Sequence, residues 1–200
     1  SSSIDELTDG KSGGTDFTNS LILGHAGTGT LDAAENNTAV GIDAMNAITS
    51  GDDNTCLGYN SGSAITTGAS NVLIGSGAGV ATLLVGSTVI IGKGAGAGVM
   101  TADADGTVAI GALAGAAITS GAQNTAIGYG SLDAQTTGDN NTAVGYNALT
   151  ANVTGDNVGN NTAIGHTAGA AIIGGYSNTI IGAKAGSSGS NDLTTGSNNT

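Results

Sequence analysis

The chain has 200 residues, of which 37 are glycine and none is proline or tryptophan, and its formal net charge is −12. With three lysines and no arginine, this surface repels nucleic acid and anionic membranes, so neither is an expected partner. No apolar stretch has the length needed for membrane insertion, and a charged fraction of 9% is too low for an acidic disordered chain.

Residues 1–18 are polar and lack the pattern that follows, so we interpret them as a linker or junction. Over residues 19–200 a unit of about 17 residues recurs, and each copy reads polar, β-branched, small apolar, aliphatic, glycine. A fixed period in this range is typical of solenoids. Residues 198–200 read as the start of an eleventh repeat of a longer fibre. The glycines that end the motif, here called anchor glycines, are Gly24, Gly41, Gly58, Gly75, Gly92, Gly111, Gly128, Gly145, Gly165 and Gly182.

A short strand is predicted directly before each anchor glycine. The last residue of each strand is a branched aliphatic, and the residue two places earlier is β-branched in nine of ten repeats. These two residues share one face of the strand, and the residue between them points the other way. That middle residue is also apolar, as in Ala39, Cys56 and Leu73. We therefore expect both faces to be covered, by a second layer of the coil or by other copies of the chain.

The rest of each repeat favours a tightly wound coil. Glycine at the anchor position suits a close approach that a Cβ would block, and the third residue after it is always small. An asparagine precedes the strand in seven repeats, and stacked asparagines can hydrogen-bond along a ladder. The sequence thus predicts an all-β protein, a β-solenoid or β-roll of ten coils without an obvious cap. Residues 99–106 and 155–161, in the two longer repeats, are expected to form small outward loops.

Three segments carry a resemblance to a known family. Residues 36–41 (Asn-Asn-Thr-Ala-Val-Gly), 124–129 (Asn-Thr-Ala-Ile-Gly-Tyr) and 141–146 (Asn-Thr-Ala-Val-Gly-Tyr) resemble the head repeats of YadA-type trimeric autotransporter adhesins. Similar repeats occur in bacteriophage tail fibres. The resemblance covers residues 19–200 and implies a left-handed β-roll in an intertwined or side-by-side homotrimer. It also implies an extracellular location, on a virion tail fibre or a bacterial surface. Residues 3–10 look like linkers of marine phage tail fibres, which favours the virion.

Few side chains are candidates for chemistry. Tyr59, Tyr129 and Tyr146 share the position after an anchor glycine and are possible surface contacts for sugars or a receptor. His25 and His166 occupy the same position too far apart along the repeats to share a metal. Residues 103–106 and 52–53 are weak calcium candidates and fit acidic turns better. Cys56 replaces aliphatic residues of other repeats and is interpreted as a small buried hydrophobe. We predict no catalytic residue, metal or cofactor.

The favoured function is a structural and adhesive fibre module, not an enzyme, which projects a receptor-binding tip towards a host glycan or protein. One alternative is a monomeric solenoid that binds a regular ligand such as a polysaccharide or ice. Its threonine row shares a face with the aliphatic residues, so we expect this row to point inward, which weakens the ice-binding hypothesis. The other alternative is a glycan-cleaving trimeric spike, which requires a carboxylate pair in a groove between chains.

Overall fold

A computed structural model describes residues 10–12, 19–24, 33–151, 159–187 and 196–200 of the protein. Within these residues eleven three-residue strands form one sheet in sequence order. The strands are β1 (Gly10–Ser12), β2 (Leu21–Leu23), β3 (Thr38–Val40), β4 (Thr55–Leu57), β5 (Val72–Ile74), β6 (Val89–Ile91), β7 (Val108–Ile110), β8 (Thr125–Ile127), β9 (Thr142–Val144), β10 (Thr162–Ile164) and β11 (Thr179–Ile181).

The strands β2 to β11 are parallel and pair in an unbroken register. Ala126 lies opposite Ala143, and Ala143 lies opposite Ala163, although the intervening repeats differ in length. Because each parallel neighbour follows the last by one repeat, the chain completes one coil per repeat and returns to the same sheet. The predicted all-β solenoid of roughly 17-residue coils is therefore confirmed.

The amino-terminal edge of the sheet is paired differently. Strand β1 runs antiparallel to β2, with Lys11 opposite Ile22. Strand β1 therefore covers the edge of β2 that faces away from β3. The expectation of a chain without a cap is wrong at this end. The rest of the segment predicted as a linker, residues 1–9 and 13–18, lies outside the described residues.

The core is a thin apolar layer inside the coil. The middle residue of each strand from β2 to β11 is buried, as in Ile22, Leu73 and Ile90. Ile65 and Ile118, from the opposite wall, are also fully buried. Cys56 is buried with this layer, in agreement with its interpretation as a small hydrophobe. Aliphatic and alanine side chains thus fill a coil too narrow for aromatic rings, since no aromatic residue belongs to the buried core of the described chain.

The anchor glycines bring successive coils into backbone contact. Their φ angles from Gly41 to Gly182 range from 126° to 140°, a region that side chains rarely adopt. A Cβ on Gly41 would lie 2.5 Å from the carbonyl oxygen of Gly58, and one on Gly75 would lie 2.8 Å from that of Gly92. From Gly41 to Gly165, each anchor glycine therefore has both a conformational and a steric reason to lack a side chain.

A buried ladder of asparagines runs beside the sheet, as the sequence predicts. Asn54 Nδ2 donates to Asn37 Oδ1 at 3.1 Å and to the Gly68 carbonyl at 2.9 Å. Its Oδ1 accepts hydrogen bonds from the backbone and side-chain nitrogens of Asn71 at 3.1 and 2.9 Å. Asn199 occupies the same position above Asn178, so residues 196–200 begin a further coil. The asparagines of the ladder from Asn37 to Asn178 are buried with their hydrogen bonds made, which avoids the penalty for unsatisfied groups.

The two longer repeats are accommodated away from the sheet. In the first, a 3-10 helix at Ala102–Ala104 takes up the extra residues and buries Ala104. This short helix is a more compact solution than the predicted outward loop, although Val99 at its approach is exposed. Residues 152–158, in the second longer repeat, lie outside the described residues. Across the described chain, no helix is long and apolar enough to cross a membrane.

The sheet presents its other face to the outside of the coil. The first and third residues of each strand from β2 to β11 flank the buried one and are exposed or half-buried, as in Thr38 and Val40. The expectation that the threonine row points inward is therefore wrong. Alternation places the middle residue, which is alanine in five strands, inside the coil and leaves the threonine and aliphatic side chains outside.

Replacing an anchor glycine should cost more than replacing another glycine of the same coil. We expect Gly75→Ala to lower the free energy of unfolding by about 3 kcal/mol, because it adds a backbone clash to an unfavourable φ. Gly77 has φ 67° and no atom within 4 Å of an added Cβ, so Gly77→Ala should cost about 1 kcal/mol. Urea denaturation followed by circular dichroism measures both, and equal losses would contradict the steric argument.

The asparagine ladder predicts a graded series at one position. Asn71→Ala should lower the free energy of unfolding by about 2–4 kcal/mol, because Asn54, Val85 and Thr88 each lose a hydrogen-bond partner. Asn71→Thr should lose less, because Thr88 already fills this position and donates its hydroxyl to the preceding asparagine at 2.7 Å. Denaturation of the two variants tests this order, and a threonine variant as unstable as the alanine variant would refute it.

Candidate functional site

The candidate site is the outer sheet face, defined as the first and third residues of strands β2 to β11. Its third residues form an aliphatic row that includes Leu57, which is 47% exposed, and Ile181, which is 68% exposed. Its first residues are threonine in six strands and Val or Leu in the others. None of these twenty residues is charged, although the chain carries 15 acidic residues. This face is therefore long, uncharged and largely apolar.

A second row lies beyond the anchor glycines and is here called the flanking row. It consists of the residue directly after each anchor glycine from Gly41 to Gly182: Ile42, Tyr59, Ser76, Lys93, Ala112, Tyr129, Tyr146, His166 and Ala183. Backbone hydrogen bonds hold the row in register; for example, the Asn147 N–H donates to the Tyr129 carbonyl at 2.9 Å. The glycine row between the two rows has no side chains, so both rows stand out beside it.

The flanking row contains a stack of three rings. The Tyr129 and Tyr146 centroids are 5.4 Å apart and the rings are 11° from parallel. His166 stacks on the other face of Tyr146, with centroids 5.2 Å apart and planes 9° apart. The structure thus brings together two of the three tyrosines predicted as surface contacts and adds His166 to them. The sequence signal for His166 was its position, because it too directly follows an anchor glycine. Tyr59 is exposed and has no ring partner among the described residues.

The acidic side chains of the turns accept hydrogen bonds from neighbouring coils. Asp52 Oδ1 accepts the Glu35 N–H at 2.8 Å, and Asp139 Oδ1 accepts the Ala122 N–H at 2.8 Å. Asp105 bonds the Gly86 N–H in the same way at 2.6 Å. In each case a carboxylate of the next coil accepts a hydrogen bond from an exposed backbone N–H group. Asp52 and Asp105, which belong to the two weak calcium candidates, are therefore explained as turn residues. Within the described ranges, no three His, Cys, Asp or Glu residues lie close enough to hold a metal ion.

The structure describes one of the two candidate histidines. His25 lies outside the described residues. His166 is exposed, and its Nδ1 lies 3.4 Å from the hydroxyl of Thr167. Its role in the described chain is therefore that of the last ring of the stack.

The fold and this surface define the class of the protein as a parallel β-solenoid with an uncharged outer sheet face. No family model matches the chain, and no curated protein or solved structure matches it. The arguments on function therefore depend on the residues themselves.

The thiol of Cys56 should be unreactive in the folded protein. Burial raises its pKa to about 12, so at pH 8 we expect no reaction with a thiol reagent such as DTNB until urea unfolds the chain. Because the folded thiol has a higher pKa than the unfolded one, the stability it contributes is present below about pH 9 and declines above it. The visible absorbance of the released thiolate would report the reaction, and rapid labelling without urea would contradict the burial.

Proposed function

We propose that this chain is a structural and adhesive fibre module in which identical copies cover one another's outer sheet face. The observation that carries the proposal is the uncharged, exposed face itself. In a chain of net charge −12, copies can approach closely only where neither presents carboxylates. The outer sheet face meets this condition in every described strand from β2 to β11.

The size of the face supports self-association. Ten strands separated by about 4.8 Å make it about 43 Å long, and three residues at about 3.3 Å make it about 10 Å wide. At about 430 Å², the face is as large as the largest apolar patch of a typical monomeric protein, and such patches are often functional. Leaving Leu57, Ile127 and Ile164 in water would forgo burial free energy of about 25 cal/mol for each Å² of apolar surface.

The number of copies and their winding follow from the resemblance to YadA-type repeats. It implies a homotrimer of left-handed coils on the outside of a virion or a bacterial cell, most readily a phage tail fibre. In that assembly the module acts mechanically, because it is a stiff rod that holds a receptor-binding tip away from the particle. Weak contacts repeated along the rod would add to binding by avidity. The role needs no catalytic residue.

A second candidate function has one observation in its favour. The threonine row stands on the outer sheet face, and Thr125, Thr142, Thr162 and Thr179 follow one another in four neighbouring strands. A face with a hydroxyl and a methyl group at each of these four steps suits a regular ligand such as ice or a polysaccharide. This function needs the face to be free of other copies, so it excludes the proposed assembly.

The mass in solution discriminates between the two functions. We expect light scattering to give three chains at all concentrations, and the double variant Ile127→Asp/Ile164→Asp to give one folded chain, because it buries carboxylates in the contact. Ile173→Asp, at an exposed position away from this face, is the control and should remain trimeric. A monomeric parent chain would overturn the proposal and favour the ligand-binding solenoid. A trimeric double variant would place the contact on another face.

A further inference from the structure

The flanking row contains a gap beside its ring stack. Ala112 separates Lys93 from Tyr129, and hydrogen bonds hold the three in consecutive coils: Leu113 N–H donates to the Lys93 carbonyl at 3.1 Å and Gly130 N–H to the Ala112 carbonyl at 3.0 Å. Two coil spacings of about 4.8 Å therefore place the Lys93 and Tyr129 backbones about 9.6 Å apart. The flanking-row side chain between them is a methyl group, and this position is here called the Ala112 slot. The side chain of Leu113 lies beside the slot, with Cδ2 3.3 Å from where a Cβ on Gly94 would be.

The slot has the dimensions of one ring. On the far side of Tyr129, the ring of Tyr146 stacks at a centroid distance of 5.4 Å. A ring placed over Ala112 would meet the near face of Tyr129 at a similar distance, since the coil spacing is the same on both sides. The stack with Tyr146 and His166 holds the plane of Tyr129 across the axis of the coil. The face offered to the slot is therefore preorganised.

The electrostatic character of the slot is positive. Lys93 is the only charged residue in segments 55–62, 72–79, 89–96, 108–115 and 125–132, which comprise the strands, anchor glycines and flanking row around the slot. Asp133 directly follows the last segment, and its Oδ1 accepts the Thr150 hydroxyl of the coil beyond, on the side of Tyr129 that faces away from the slot. It is exposed and makes no ion pair within the described chain. Salt reduces the influence of the acidic turns elsewhere, because the screening length is about 8 Å at physiological ionic strength. The slot thus combines one aromatic face with one unpaired ammonium group.

We propose that the Ala112 slot binds the pyranose ring of a carboxylated sugar. The flat C–H face of the ring packs against Tyr129, and the carboxylate accepts a charge-assisted hydrogen bond from the Lys93 ammonium group. The hydroxyl groups at the edge of the ring remain in water. The site lies across the anchor glycines from the outer sheet face, so the inference goes beyond the proposed function and applies to either assembly state.

The gap on the other side of Lys93 is less suited to the same ligand. Ser76 fills it with a small side chain, and Tyr59 closes it. Tyr59, however, has no stacked ring to hold its plane, and its neighbour in the flanking row is Ile42. We therefore assign the site to Ala112.

Saturation-transfer NMR on the whole protein tests the inference, with methyl β-glucuronide as the probe and methyl β-glucoside as its uncharged match. We expect the glucuronide to bind with a dissociation constant on the order of 1 mM and the glucoside about tenfold more weakly. Lys93→Gln should make the two sugars equal, because it removes only the ammonium group. No transfer to the glucuronide, or equal transfer to both sugars in the parent protein, would overturn the inference.

Two variants of the slot locate the binding. Ala112→Tyr places a ring where the ligand would lie, in the manner of Tyr146, and should abolish transfer while the circular dichroism spectrum is unchanged. Tyr129→Ala removes the aromatic face and should weaken binding at least tenfold. Tyr176→Ala, which removes an exposed tyrosine outside the flanking row, is the matched control and should bind like the parent. Glucuronide binding that persists in Ala112→Tyr would refute the site.

Discussion

The structure depends on the direct contact of one glycine backbone with the next. From Gly41 to Gly165, a Cβ on each anchor glycine would lie too close to the backbone of the following one. Because no side chain intervenes, successive coils settle at the spacing of a parallel sheet, and every other position of the repeat is brought into register. The strands, the asparagine ladder and the flanking row are all aligned by this contact.

The interior of the coil is stabilised in two different ways. On one side a thin layer of aliphatic and alanine side chains excludes water. On the other, the buried asparagines satisfy both their own amides and the backbone carbonyls of the turns, as Asn161 does with the Gly175 carbonyl. At Thr88 and Thr107 threonine replaces asparagine in the ladder. The hydroxyl of Thr107 donates to the carbonyl of Ala104, the last residue of the 3-10 helix. A longer repeat is thus inserted without leaving a buried polar group unpaired.

The same regularity concentrates function on the outside. A coil repeated with little change presents each surface position as a row, so that small chemical preferences add along the length of the rod. The outer sheet face extends an apolar and hydroxyl surface suited to a long partner. The flanking row is the exception, because its residues vary from coil to coil, and a ring stack, a gap and a single cation meet at one place. The proposed long contact and the proposed local site thus lie on either side of the same glycines.

Much of this was predictable from the sequence. The period of the anchor glycines determined the solenoid and the position of each strand, and the repeated asparagine before β3, β4 and β5 predicted the ladder, because both are local patterns that recur at a fixed spacing. Two features depended on the tertiary structure. Alternation alone cannot tell which face of an all-apolar strand lies inside, so the outward threonine row became known only when the coil closed around residues such as Ala39. Likewise, the contact between Tyr129, Tyr146 and His166 arises from the stacking of coils, since side chains 17 and 20 residues apart meet only where that stacking aligns them.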